Sequence, residues 1–432
     1  MPEGHSLRSL ARSIPAVVRR DYLASTVAHW FTLASGLLLF HLVAQRASTS
    51  GFAYYQVARG LVATLQPVAL IGLVPALHRF LPRAGPRIRV LARQAFVVQL
   101  VILNVLGLTA LLLADDLGRL LGLGGAPQAR AVIVLTAGNC LCVVAAAALR
   151  GCGQVWQANL VYLLGLGLLP LAAFAVTERI DVFLIVQGAA MAAVACWGIA
   201  VAGPRRAEHR PPRPTPAPSL RTLLRYGIRR APGDMALPAL FSFPTFYVAG
   251  AAPGSAEAGY LGFATSAVTL ICSLFGMLTP VLLPRLSGAF HGLVPSTALT
   301  RGLKLLPPAA AILAIVATAS LALVADPVVH YFLGDEFDGA AAILRWGMLT
   351  SVPFAAFYAA RPTLDALQDA PVITRLLLGS LIVEVVITYA ADRWLDPAYA
   401  ALFGLGAGAL VLGLLSYVAL LLVVPAIRGN AE

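Results

Sequence analysis

The chain has 432 residues, 59% of them hydrophobic and only 12% charged, with a mean hydropathy of +0.84. An ordinary globular chain is about a quarter charged, so this composition excludes a water-soluble domain and makes lipid the solvent for most of the surface. The formal charge of +12 then reports a basic face held against anionic lipid, and no nucleic-acid partner or cofactor is expected.

The chain opens with Arg8, Arg12, Arg19 and Arg20 and no long apolar core, which is not the pattern of a secretory signal. Leu7, Leu10, Ile14, Val17 and Val18 recur at helical spacing. They make residues 5–20 either an interfacial helix or a basic flank that orients the first membrane run. A spanning helix needs roughly 20 mainly apolar residues. Twelve such runs can be marked: 22–44, 53–77, 94–114, 130–149, 156–177, 181–202, 232–252, 258–283, 305–325, 339–360, 372–391 and 398–424. The predicted fold class is therefore an all-α polytopic membrane protein of about twelve helices.

Basic residues orient these runs. With the N-terminus in the cytoplasm, the outer loops hold only Arg46, Arg119, Arg130, Arg179 and Arg393 among the 31 basic residues. Acids cluster on that outer side at Asp115, Asp116, Asp335, Glu336 and Asp338. Both termini are thus expected in the cytoplasm. Cys140, Cys142, Cys152, Cys196 and Cys272 avoid the outer loops, so no disulfide is implied. The CxC at Cys140 and Cys142 lacks a matching cysteine or histidine cluster, and no metal site is expected.

Between runs six and seven lies GPRRAEHRPPRPTPAPS, an extended, semi-rigid Pro/Arg-rich segment. It makes 203–222 a linker between an N-terminal six-helix lobe (1–202) and a C-terminal one (223–432). The halves echo each other at an offset of about 209 residues. VVRRDYLASTVAHWF at 17–31 matches GIRRAPGDMALPALF at 227–241 in feature order. The stretches 51–79 and 259–285 each open on Gly plus an aromatic and close on a proline-containing turn before an arginine. Both halves start inside, so the repeat is parallel. Pro67 and Pro75, Pro238 and Pro244, Pro280 and Pro284, and Pro353 remove backbone hydrogen bonds, and bends are expected there.

RYGIRRAPGD at 225–234 resembles the YG-x-x-R-x-P start of segment seven in bacterial oligosaccharide flippases. These are the Wzx-type polysaccharide exporters of the multidrug/oligosaccharidyl-lipid/polysaccharide superfamily. SGFAYYQVARGLVATLQPVALIGLVPALHRF at 50–80 is similar to their segment two, and GYLGFATSAVTL with LLPRLS at 259–270 and 282–287 to their segment eight. RPTLDALQDAP at 361–371 departs from the plainer turn usual there. The motifs are loose and speak for the superfamily more than for a substrate. The resemblance implies two six-helix lobes around a central cavity that opens alternately to the two sides. It further implies transfer of a polyprenyl-pyrophosphate-linked oligosaccharide to the outer leaflet of the bacterial inner membrane. Polysaccharide polymerase and glycosyltransferases would then be partners, beside anionic lipids.

Ionisable groups inside spanning segments are costly and mark function. Arg59 lies about seven residues into segment two, roughly 10 Å deep, with no acid of the first half at its depth and Ala267 at the repeat-related place. A guanidinium suits a pyrophosphate because its planar fork stays charged; the alternative is an arginine snorkelling to the interface. Arg345 and Glu384 share that depth in segments ten and eleven. They either pair with each other or serve separately, Arg345 for substrate and Glu384 for ion coupling. Asp234 follows Pro232-Gly233 and reads as a helix cap before it reads as a coupling group. His29 and His41 lie in segment one, where a histidine is either a coupling group or, in the commoner case, a packing residue.

Rival functions fare less well. An enzyme at the outer face needs a catalytic loop, and the outer loops are short and carry no paired-acid motif, so no enzyme is expected. A major-facilitator carrier would carry an acid in its segment 2–3 loop, where RFLPRAGPRIR has none. A drug/cation antiporter of the same superfamily needs carboxylates in its lobes, yet no membrane-embedded acid falls between residues 22 and 114. A peptidoglycan lipid-precursor flippase remains a further alternative.

Overall fold

The structure is a computed structural model that describes residues 16–120, 123, 125–177, 179–203, 218–276, 297–337, 339–367 and 372–429. It is all-helical, with no strand among the described residues. Among the described residues nine helices are long and apolar enough to cross a membrane, and two bent pairs bring the number to eleven. The remaining run, segment seven, is also one helix, Leu220–Ala251. Its prolines at 232, 238 and 244 make it less apolar than the others without breaking it.

The contacts divide the chain into two compact units that do not follow chain order. The first comprises residues up to 42, then 69–112 and 131–229; the second comprises 43–68, 113–130 and 230–432.

The first unit holds most of α1 (Ala16–Arg46), α3 (Leu73–Phe80) and α4 (Ile88–Leu112). It also holds most of α6 (Ala126–Gly151), all of α7 (Val155–Val176) and α8 (Ile180–Val201), and the start of α9 (Leu220–Ala251). Leu73, Leu77 and Leu81 close its core with Ala92, Ala95, Val144, Ala145, Ala147, Ala148 and Leu223. The core is built on small residues because helices in lipid associate through close backbone approach rather than by escaping water. A Cβ on Gly138 of α6 would stand 2.0 Å from the Gly188 carbonyl oxygen of α8. The one buried amide of α4, Gln99, donates from Nε2 to the carbonyl of Ala69 at 2.9 Å. The middle of α7 widens into a π-helical turn at Leu163–Leu168.

The second unit holds α2 (Thr49–Leu70) up to Val68, α5 (Ala114–Leu120), most of α9, and α10 (Glu257–Gly276). Behind them come α11 (Thr297–Leu323), α12 (Ala325–Leu333), α13 (Ala340–Met348), α14 (Ser351–Leu367), α15 (Val372–Ala391) and α16 (Pro397–Gly429). Leu240, Val268, Cys272, Phe354, Phe357, Leu405, Ala409 and Leu412 form its core, with Phe241 stacked on Phe354 at 4.4 Å between ring centroids. Phe52 and Tyr260, the aromatics that open the two matching stretches, both set an edge against Phe337, at 5.4 and 6.0 Å.

Three local expectations change. The bend of segment two falls between α2 and α3, a 52° turn at Ile71-Gly72. That of segment ten is 40° and lies between α13 and α14. Pro67 sits inside the straight α2, and Pro75 and Pro353 sit in the first turn after each break. A missing N–H costs nothing in a first turn. Of the tract 5–20, the last five residues belong to α1, and residues 5–15 lie outside the described part. Arg19-Arg20 and Arg229-Arg230 stand within helices α1 and α9 rather than ahead of them. Pro280, Pro284 and residues 204–217 of the linker also lie outside the described residues.

Candidate functional site

Arg59 lies near the middle of α2 and is exposed. Its own helix positions it. Gln56, one turn back and buried, accepts a hydrogen bond at Oε1 from Arg59 Nη1 at 3.1 Å. The guanidinium carbon stands 5.7 Å from the centre of the buried Tyr55 ring. The side of α2 next to Arg59 is fixed by glycines. A Cβ on Gly262 of α10 would meet the Gln56 Cβ at 2.6 Å, and one on Gly60 would meet Ser242 and Phe246 of α9 at 3.2 and 3.0 Å. Helix α2 is therefore clamped on two sides, with its arginine on the exposed side.

Glu384 of α15 is the opposite case. It is 0% exposed, and neither carboxyl oxygen has a hydrogen-bond partner. Ser380 and Thr388 flank it one turn away on the same face, equally buried, with their hydroxyls also without partners. The stripe is pressed against α16. A Cβ on Gly404 would lie 2.0 Å from Thr388 Oγ1, and a Cβ on Gly408 would lie 3.0 Å from Glu384 Cβ and 3.5 Å from Leu240 Cδ2 of α9. Three polar groups in a row between two apolar helices are costly when unpaired.

The structure does not bring Arg345 and Glu384 together. Arg345 Nη2 donates instead to the Asp326 carboxylate, and its Nε to the carbonyl of Ala322 at 3.4 Å, with both charged side chains open to the surface. Asp326 begins α12, a helix that equal depth along segments ten and eleven does not reveal. Asp234 is not a helix cap. The helix α9 begins at Leu220, so Asp234 is interior, and the start is marked by Ser219, whose Oγ accepts from the Thr222 N–H at 3.3 Å. Next to Asp234, a Cβ on Gly233 would reach Thr374 Oγ1 at 2.4 Å, so this point of α9 lies tight against α15. His29 is exposed, its ring edge-on to Trp30 at 6.5 Å, and His41 is partly buried. Cys140 and Cys142 are both buried.

Two polar features escaped the sequence reading. Arg150, Asn159 and Ser25 form a chain of hydrogen bonds of 3.1–3.3 Å across α6, α7 and α1. Arg361 of α14 pairs with Asp365 one turn on, at 3.5 Å. The second signal was present as an i,i+4 pair in RPTLD; the first joins residues 134 apart in sequence and has no local pattern.

No family model matches the sequence, and no curated protein does. Solved structures do. The chain superposes on the inward-facing form of a multidrug resistance MATE family transporter with a TM-score of 0.74, at 16% identity, over 94% of this chain and 96% of that one. The fold is that of the MOP superfamily transporters. The lipid II flippase MurJ, in an inward closed conformation, gives 0.64 at 12% identity, over 93% and 87% of the two chains. A MOP superfamily transporter from Pyrococcus furiosus, described by a reverse polarity of its binding pocket that suggests a different function, gives 0.60 at 16% identity over 96% of each chain. The same fold is thus shared by a multidrug resistance transporter, a lipid II flippase and a transporter named for the reverse polarity of its binding pocket, and the fold alone does not choose among them.

Proposed function

We propose that the chain is a transporter that carries a polyprenyl-pyrophosphate-linked oligosaccharide from the inner to the outer leaflet of a bacterial inner membrane by alternating access. The cargo would feed surface polysaccharide assembly, and the chain itself makes and breaks no covalent bond. Polysaccharide polymerase and glycosyltransferases are the partners this reading calls for. The observation that carries it is the sign of the exposed charge. Arg59 is exposed within a spanning segment, whereas Glu384 is sealed between helices. A cationic drug asks for an accessible carboxylate; a pyrophosphate asks for an accessible guanidinium fork. A protein named as a lipid II flippase shares this fold.

In this reading Glu384, with Ser380 and Thr388, couples movement to an ion gradient. A carboxylate without partners in that setting takes up a proton or a cation from one side and gives it up to the other. Arg345 is the weaker candidate for cargo contact because Asp326 already answers its charge.

Similarity to a multidrug resistance transporter keeps drug or cation antiport as a second reading. One experiment separates the two. In the native host, Arg59→Ala should abolish surface polysaccharide while the protein still inserts at wild-type level, and Arg59→Lys should keep part of it. Full polysaccharide in the alanine variant, together with drug efflux by the wild type, would favour antiport.

A further inference from the structure

The first turns of α9 carry two parallel rows that neither Arg59 nor Glu384 involves. Arg221, Arg225 and Arg229 recur at every fourth residue, and each directly follows an aliphatic one: Leu220, Leu224 and Ile228. Four residues advance a helix by about 6 Å and little more than one turn. The three guanidinium stems therefore stand in a row about 12 Å long, with the aliphatic row beside it.

The far side of these turns is already occupied. Leu223 is buried in the core of the first unit. Tyr226 packs edge-on against Phe80 at 5.4 Å, and Arg79 lies over its ring at 5.1 Å. A Cβ on Gly227 would stand 2.3 Å from the carbonyl oxygen of Ile71. What stays open is a groove of about 550 Å³ lined by Leu220, Arg221, Leu224, Arg225, Ile228 and Arg229. The arginines are exposed, and so is Ile228, at 57%. Among the described residues none of the three arginines forms an ion pair. The Ser219 cap places the positive end of the helix at the same spot.

We propose that this groove binds an anionic phospholipid of the cytoplasmic leaflet, its phosphate on the arginine row and its acyl chain along the aliphatic row. Each row selects against other occupants. A soluble anion would leave Leu220, Leu224 and Ile228 in water, and an apolar peptide would leave three guanidinium groups unanswered. Guanidinium is weakly hydrated and grips phosphate through two parallel N–H bonds. The position fits a lipid as well, because α9 turns apolar soon after Arg230, which sets the row at interface depth. The bound lipid would brace the start of α9 where it crosses α3. The inference is independent of which cargo is carried.

The test uses the purified full chain in neutral detergent and compares phosphatidylglycerol with phosphatidylcholine of the same chains, read by binding and by thermal stabilisation. The wild type should bind phosphatidylglycerol selectively. Arg225→Gln should weaken that binding about fivefold, and the triple Arg221→Gln/Arg225→Gln/Arg229→Gln about a hundredfold. A control triple on another exposed basic stretch, Arg83→Gln/Arg87→Gln/Arg89→Gln, should stay within about twofold, since a built groove and not the general basic face is at work. Equal losses in the two triples, or equal binding of the two lipids, would overturn the proposal. Binding of inorganic pyrophosphate with no preference between the lipids would overturn it in favour of a soluble anion. If the first triple fails to fold, the single exposed Arg225→Gln decides, and an unchanged affinity there counts against the groove.

Discussion

Glu384 and Arg345, level with each other along their segments, meet opposite surroundings. The guanidinium found a carboxylate at the surface; the carboxyl group found glycine backbone and two hydroxyls without partners. A buried carboxyl group without partners contributes little to stability, so an amide of the same shape replaces it at little loss. Glu384→Gln should therefore leave the melting temperature unchanged or raised, while it removes the dependence of transport on an ion gradient. Retained gradient-driven transport in that variant would make Glu384 a packing residue. Arg59, Glu384, Asp234 and His29 were legible as single residues because charge inside an apolar run is conspicuous. Their partners were not. Depth counted along the chain carries no information on which way a helix face turns, and Asp326 lies on a short helix hidden between two spanning runs.

At the scale of elements, the break between α2 and α3 is the sharpest constraint. Ile71 and Gly72 both take left-handed backbone, φ 48° and 62°, a conformation that a β-branched residue adopts only under strain. The bend is locked by α9, since a Cβ on Gly72 would sit 2.3 Å from the Gly227 carbonyl oxygen. Gly72→Ala should combine backbone strain with overpacking and cost about 2–4 kcal/mol. Gly85→Ala, at φ 55° with open space around its Cβ, should cost only the strain, about 1 kcal/mol. Unfolding of the purified variants in detergent checks both, and equal losses would show that the α3–α9 crossing is not tight. The sequence announced a bend in this segment through Pro67 and Pro75, yet the chain bends between them at IG. Proline marks where a helix can end, whereas the tertiary crossing decides where it does. In α9 three prolines leave one continuous helix, with packing against α15 and α10 outweighing local preference.

For the whole molecule, composition and run length were enough for an all-helical membrane protein, because lipid demands long helices with their backbone satisfied internally. Phe52 and Tyr260, the aromatics that open the two matching stretches, converge on Phe337. The grouping of residues 43–68 with the second compact unit was not readable, since it depends on contacts among distant segments. With twelve spans and the arginine asymmetry, both termini should face the cytoplasm. Single cysteines added at each end should react with thiol reagents only after the inner face is exposed; labelling of either end in intact cells would contradict that orientation. The account's central claim is transfer of an anionic, lipid-linked oligosaccharide through the exposed guanidinium of Arg59. Its most direct test is a proteoliposome assay that follows a fluorescent polyprenyl-pyrophosphate oligosaccharide from one leaflet to the other. The account predicts transfer by the wild type, none by Arg59→Ala at equal reconstitution, and partial transfer by Arg59→Lys. Wild-type transfer by the alanine variant would contradict it, as would no transfer by the wild type with an imposed ion gradient of either sign.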